Sequence, residues 1–194
     1  MAKIDLPFVD YEYPEKKSKG LIAIIGEAPG AEEVKQGHPF VGRSGKMLDK
    51  NLEAVGIDRK ACLVANVFRY QPPKNKVDHF FLSQRKAKEA GEELAIDWGK
   101  LGSYYSLKKF AGELEHLRAT LKKLKPRVII TLGRTPLWAL TGKEGITTLR
   151  GQVQPCHFMK EVPVIPTFHP SYIMRGNWSE EKLLKQDLAQ ARDI

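Results

Sequence analysis

The chain has 194 residues, 42% hydrophobic and 28% charged, with 16 glycines and 12 prolines. One ordinary domain with a buried core is expected at that length, and the average composition excludes collagen-like, coiled-coil and disordered architectures. Lys and Arg outnumber Asp and Glu by 32 to 23, a formal charge of +9, and the whole surplus falls between residues 74 and 178.

Residues 1–20 read as a polar, proline-containing lead-in, and 21–194 as the folded domain. Leu21–Ile25 (LIAII) is a short continuous apolar run, the pattern of a strand buried on both faces. A Gly/Pro-rich loop follows from Gly26 to Gly45. Ser44 can cap a helix whose apolar positions Met47, Leu48, Leu52 and Val55 share one face, and Gly56 stops it. The next strand is Cys62–Phe68, ended by Pro72 and Pro73. Residues 107–124 repeat apolar groups at the spacing of an amphipathic helix. Strand Arg127–Leu132, helix Thr135–Leu140, strand Val162–Thr167 and a closing helix from Ser179 complete the chain. Strands alternating with helices predict an α/β fold around a mainly parallel sheet. The Lys/Glu-rich segment at about 74–106, with Phe80, Phe81, Trp98, Tyr104 and Tyr105, breaks the rhythm and reads as a partly helical insertion.

No apolar run approaches the roughly 18 residues of a membrane span. The N-terminal MAKIDLPFVDYEYPEKK lacks the apolar centre of a signal peptide, so an intracellular protein with no membrane partner is expected. Cys62 and Cys156 lie far apart, which excludes a disulfide framework and any four-thiolate metal site built from these residues alone. A localised basic surplus suits a polyanion such as nucleic acid. The plainer alternative is a lysine-rich solvated face.

In open α/β sheets, ligands bind beyond the carboxyl ends of the strands. Three loops leave strands there: Gly26-Glu27-Ala28-Pro29-Gly30, the segment after Asn66, and His169-Pro170-Ser171. Each alone has a plain reading. The first fits a tight turn and lacks the P-loop pattern; Asn66 fits a hydrogen-bonded core amide; His169 fits a structural histidine; Phe40 fits core.

Together, GEAPGAEEVKQGHPFVGRSGKMLD (26–49), NVFRYQPPKN (66–75), LKPRVIITLGRTPLWALTG (124–142), LRG (149–151) and VPVIPTFHPSYIMR (162–175) resemble the uracil-DNA glycosylase superfamily. They are most similar to its family 4 class. The resemblance runs in order from residue 21 onward, interrupted mainly by the insertion. It implies a single domain with a central parallel four-stranded sheet flanked by helices. The implied activity is hydrolysis of the N-glycosidic bond of uracil in DNA. A target base in a duplex must be flipped into a pocket for such chemistry, and an abasic site remains.

The same resemblance implies the site residues. Phe40 corresponds to the aromatic that stacks on the flipped base. Asn66 corresponds to the residue that reads the uracil edge: one amide can accept from N3–H and donate to O4, whereas cytosine presents the reverse pattern. His169 corresponds to the donor to uracil O2, where negative charge develops as the bond breaks. Glu27 corresponds to the acid that positions water and stabilises the oxocarbenium-like carbon. Glu33 and the backbone of Ala28 would shape the pocket. Gly30, Ser171 and Arg175 belong to loops that meet DNA, with Arg175 holding phosphate or filling the vacated space.

Departures from the family matter as much. Family 4 members carry a [4Fe–4S] cluster on four cysteines. Here Tyr70 stands where one belongs, residues 1–20 contain none, and none lies near the start of the 107–124 helix. No metal and no cofactor are therefore expected, and the insertion is expected to pack where the cluster would be. Val34 stands where an acidic residue often follows Glu33. His79, in KVDHFF, lies near the position of the histidine in the covalently trapping branch, but its surroundings do not match. A monomer is expected, and loss of the cluster cysteines is compatible with a viral or plasmid origin. The alternative reading is a non-catalytic DNA-binding or replication-associated module with the same fold. A glycosylase for hypoxanthine or another deaminated base is a third, which Asn66 disfavours.

Overall fold

The LIAII run folds into an interior strand of the sheet, Ile22–Gly26 (β1), and every residue of that strand is buried. The computed structural model describes residues 4–15 and 20–194. After β1 come helices Ala31–Gln36 (α1) and Arg43–Ala54 (α2), then strand Leu63–Asn66 (β2). The inserted segment holds a two-stranded antiparallel ribbon, Phe81–Leu82 (β3) with Tyr105–Ser106 (β4), and helix Gln84–Ala90 (α3) between its strands. Helix Ala111–Leu124 (α4), strand Val128–Leu132 (β5) and helix Arg134–Thr141 (α5) follow. Helix Ile146–Leu149 (α6), strands Gln154–Cys156 (β6) and Met159–Thr167 (β7), and helices Pro170–Met174 (α7) and Glu181–Asp193 (α8) complete the order.

The sheet order is β2-β1-β5-β7-β6, parallel except for β6, which pairs antiparallel with β7. The sheet therefore has five strands rather than the four expected. Residues 154–156 carry no strand signature because the segment is three residues long and contains Pro155, which has no N–H to give a ladder. Helix α1 lies inside the 26–45 segment expected as a loop. It buries none of its residues, so it leaves no apolar periodicity. Helix α2 is capped by Gly42 rather than Ser44, and the Gly42 N–H is taken by the Glu33 carboxylate at 3.0 Å.

Alternation along the strands feeds two apolar layers, as the two-residue period of a strand requires. Ile22, Ile24, Val64, Val128, Ile130 and Ile165 pack with Leu48 and Leu52 of α2 and with Leu184 and Leu188 of α8. Ala23, Ile25, Ala65, Ile129 and Val164 face Leu114, Leu117 and Leu121 of α4. The insertion joins this second layer through Phe80, whose ring lies 4.3 Å from that of Phe68 and 4.7 Å from that of Phe110. Among the described residues no helix is long and apolar enough to cross a membrane.

The lead-in is built into the sheet's outer edge. Val9 N–H donates to the Arg69 carbonyl and Val64 N–H to that of Glu12, each at 2.8–2.9 Å. Phe8 meets Tyr70 edge-on at 5.3 Å. Arg69 bonds both carboxylate oxygens of Glu113 in the first turn of α4, at 2.9 and 3.0 Å. Lead-in, Tyr70 and the α4 start are the three places where the resemblance puts cluster cysteines. The lead-in packs against Tyr70 through Phe8, and the insertion reaches the start of α4 through Phe80 and Phe110.

Those groups do not fit an iron–sulfur cluster, which needs four thiolates. They supply a phenol, a guanidinium and a carboxylate. Cys62 and Cys156 are buried elsewhere, and burial pushes the Cys62 thiol up to about 12. No group of three or more His, Cys, Asp or Glu among the described residues could hold a metal ion.

Arg69 and Glu113 have side chains only 15% and 7% exposed, so removing one leaves a desolvated charge behind. Glu113→Ala is expected to cost about 3–5 kcal/mol, read as a lower urea midpoint with unchanged slope. A loss below about 1 kcal/mol would show that Asp10, 3.3 Å from Arg69, suffices as its partner.

Candidate functional site

The sheet reverses its direction of growth between β1 and β5. Chain order runs outward from β1 to β2, then returns to place β5 on the other side. That reversal opens a crevice at the strands' carboxyl ends, where α/β folds bind ligands. Glu27 leaves β1 there, Asn66 ends β2, and His169 follows β7 by two residues.

A cavity of about 280 Å3 is lined by Ala28, Gly30, Glu33, Phe40, Asn66 and His169, together with Ser171 and Arg175. Every expected site residue except Glu27 therefore meets in one place. A neighbouring cavity of about 340 Å3 adds Glu27 and shares Ala28, His169 and Arg175. Ser44 and Asn75 also line the smaller cavity. Asn75 had no assigned role in the sequence, although it closes the NVFRYQPPKN motif. Its left-handed backbone, φ 55°, is the signal a turn-seeking reading of QPPKN could have used.

Close packing at the end of β1 depends on Gly26. A Cβ there would stand 2.4 Å from the Phe40 ring and 2.5 Å from Asn66 Oδ1. The Phe40 ring and the Asn66 amide thus occupy the space a side chain would take. Asn66 is only 5% exposed, and among the described residues nothing hydrogen-bonds its amide. The plain reading of a satisfied core amide is not what the structure shows. Its free hydrogen-bonding groups border the cavity.

Phe40 has a positive φ of 53°, a costly conformation for a bulky residue. Arg59 holds it there. The guanidinium donates to the carbonyls of Phe40 and Pro39, at 2.9 and 2.6 Å, and to Asp49 and both oxygens of Glu12. All five of its N–H groups are used. The Phe40 and His169 rings face each other at 5.8 Å, tilted by 33°.

Glu33 accepts three backbone N–H bonds, from Gly30, Val41 and Gly42. Both of its oxygens are committed, so it joins the 26–30 loop to the Phe40 turn and shapes the cavity. Glu27 Oε1 accepts from the Thr135 N–H at 3.3 Å, at the positive end of α5. The approach needs Gly133, at φ 95°, where a Cβ would stand 3.3 Å from Glu27 Oε1 and 3.4 Å from His169 Cβ. Beneath β7's end, Asp187 of α8 bonds Thr167 at 2.7 Å and pairs with Arg150 of the LRG motif.

His169 caps α7. The Ser171 N–H donates to its Nδ1 at 3.1 Å, and Ser171 Oγ lies 2.8 Å from the same atom. An Nδ1 that accepts leaves the proton on Nε2. Burial holds the imidazole below its ordinary pKa; Glu27 opposes that shift and Arg175 adds to it. The structural reading of His169 is thus correct for one nitrogen, while the other is a neutral donor. Ser171 spends its backbone N–H on orienting that donor.

One aromatic ring, an amide without a partner among the described residues and an imidazole thus line one cavity, with the Glu27 carboxylate beside it. Comparison with known proteins agrees. A family model described as the uracil DNA glycosylase superfamily matches residues 13–191. A type-4 uracil-DNA glycosylase of Thermotoga maritima is 33% identical over 89% of this chain and 77% of its own length. Proteins of the same description from Sulfurisphaera tokodaii and Saccharolobus solfataricus are 29% and 28% identical over 91% and 92% of this chain, and 70% and 73% of their own. With the match spanning almost the whole chain and the motif residues meeting in one crevice, the protein belongs to the uracil-DNA glycosylase superfamily.

Proposed function

We propose that this protein is a monofunctional glycosylase of DNA repair, which flips uracil out of DNA and hydrolyses its N-glycosidic bond to leave an abasic site. The observation that carries the reading is the buried Asn66 amide. An amide that borders the cavity and bonds no group among the described residues is available to a ligand, and a uracil edge there would pair with it, its N3–H donating to Oδ1 and its O4 accepting from Nδ2. Cytosine would leave these groups mismatched, which is how such a site rejects a near-isostere.

The remaining roles follow from placement. The Phe40 face supports the base. His169 Nε2–H donates to uracil O2 as charge develops there, and a preorganised neutral donor costs no reorganisation at that moment. Glu27, anchored by α5, holds water against the sugar and stabilises positive character at C1′. Gly30 and Arg175 border the opening, where they meet the phosphates. None of these steps calls on a cluster, and we take the protein to act without one.

The first test is incubation with an end-labelled oligonucleotide carrying one uracil, in EDTA, followed by alkali. A cleaved band supports the reading; DNA binding without cleavage on single or double strands would favour the non-catalytic module. Asn66→Asp is expected to lower turnover about 100-fold or more with DNA affinity largely kept. Near-normal turnover would remove Asn66 as the base reader.

Titration of the His169 ring by NMR should give a midpoint below the ordinary 6.5. Stability linked to this group is complete above about 6.5, where both states are neutral, and declines as pH falls and the unfolded chain gains the proton first. A midpoint at or above 6.5 would contradict the neutral donor. Iron analysis of protein purified without oxygen should find less than about 0.1 iron per chain, against the four that a [4Fe–4S] cluster requires. Stoichiometric iron would refute the cluster-free reading.

A further inference from the structure

A larger cavity, about 520 Å3, opens on the other side of Glu27, within the roughly 300–1,000 Å3 of ligand pockets. It is continuous with the site. The cavity that contains His169 shares Glu27, Val77 and Arg134 with it. One trough therefore runs from the Asn66 amide, past Glu27, into the inserted segment.

The insertion supplies most of this end of the trough. Phe81, Leu82 and Leu101 contribute apolar surface, while Lys86, Asp78 and Tyr104 bring polar groups. Tyr104 is 45% exposed, and among the described residues its ring pairs with no other aromatic. The turn that carries it is fixed. Leu101 and Tyr104 exchange backbone hydrogen bonds of 2.8 and 3.2 Å. Gly102 N–H donates to Glu144 Oε1 at 2.5 Å, and Glu144 Oε2 accepts from Arg134 at 2.8 Å. Gly102 adopts φ 63°, and a Cβ there would stand 2.7 Å from Arg134 Nη2. An exposed aromatic is thus held beside the trough by a turn pinned to the first turn of α5.

The charges around the cavity nearly cancel. Lys86 and Arg134 face Glu27 and Asp78, and Arg134 is already paired with Glu144. A phosphate needs a cationic surplus that this cavity lacks. A flat, neutral ring needs only apolar surface, a stacking partner and a few polar groups for its edge.

We propose that this cavity is a subsite for one unpaired base next to the target uracil, stacked on Tyr104, and that it makes single-stranded DNA the better substrate. The proposal rests on the reading of the chain as acting on uracil in DNA. Stacking on an aromatic tolerates any sequence, because every base has a π-face. In a duplex the neighbouring base is paired and stacked, and reaching the subsite costs a few kcal/mol of unstacking. In a single strand most of that cost is absent.

The test uses the full chain, Tyr104→Ala and Tyr104→Trp, with fluorescence anisotropy of labelled oligonucleotides. Each oligonucleotide carries 2′-fluoro-2′-deoxyuridine, which resists cleavage. The base on the 5′ or the 3′ side is either present or replaced by an abasic tetrahydrofuran. On the intact single strand, Tyr104→Ala should weaken binding about tenfold, and Tyr104→Trp should restore it. Removing the neighbour on one side should weaken the wild type by the same factor and add nothing to the alanine variant. On a fully paired duplex the alanine change should matter less than about twofold. Additive losses, or equal losses on single strand and duplex, would overturn the subsite. Turnover on a uracil oligonucleotide is read separately: excision with additive losses defeats only the subsite, and an intact coupling without excision defeats only the glycosylase reading.

Discussion

Arg59 is the fastening on which the site depends. Phe40 must turn its ring into the crevice at the end of β1, and the backbone pays for this with a positive φ of 53°. Such strain persists only where its surroundings over-determine it. A guanidinium with five committed donors does so, tying the Phe40 turn to Asp49 of α2 and to Glu12 of the lead-in. The edge segment at residues 4–15 is therefore part of the site's support. Glu33 repeats the device from the other side with three backbone N–H bonds.

Glycine supplies the complementary condition, which is room. Gly26 admits Phe40 and Asn66 together, Gly133 admits Glu27 beside His169, and a Cβ at Gly45 would lie 1.8 Å from the Phe40 carbonyl oxygen. These positions explain why a strand end can gather an aromatic ring, an amide, an imidazole and a carboxylate in so small a volume. The polar groups are then sorted by environment. Nδ1 of His169 is satisfied internally, the Glu33 oxygens are consumed by the backbone, and the Asn66 amide is left free for a ligand.

At the junction where the resemblance puts cluster cysteines, an ion pair and an aromatic pair hold the chain segments together. A cluster would join three chain segments through metal–sulfur bonds. Here Arg69–Glu113 and Phe8–Tyr70 join the same three segments. A buried ion pair gains little over an apolar pair but is costly to break, so Arg69–Glu113 fixes α4 against the segment after β2 more than it adds stability. The insertion packs its aromatics on Phe68 and on Phe110, which caps α4, and extends the candidate crevice beyond Glu27.

Much of the fold and of the site was legible before any coordinates. The continuous apolar run at 21–25 reads as a strand buried on both faces, 127–132 as a further strand, and the 107–124 periodicity as an amphipathic helix. Glu27, Asn66 and His169 each follow or end such a strand, so their meeting at one sheet edge followed from topology. Helix α1 and strand β6 escaped because neither carries a periodic apolar face, one being unburied and the other three residues long around Pro155. Asn75 escaped because its contribution comes from a left-handed turn.

The sequence by itself determined the layered α/β architecture and the shortage of thiolates for a cluster, since these depend on local pattern and composition, while the site residues were implied by motifs that resemble a known family. Only the tertiary structure decided which hydrogen bonds were already taken. It assigned Nδ1 of His169 to Ser171, both Glu33 oxygens to the backbone and Glu113 to Arg69, and it left Asn66 unpaired. Those decisions rest on contacts between residues up to 44 positions apart, and no local pattern records a partner at that distance.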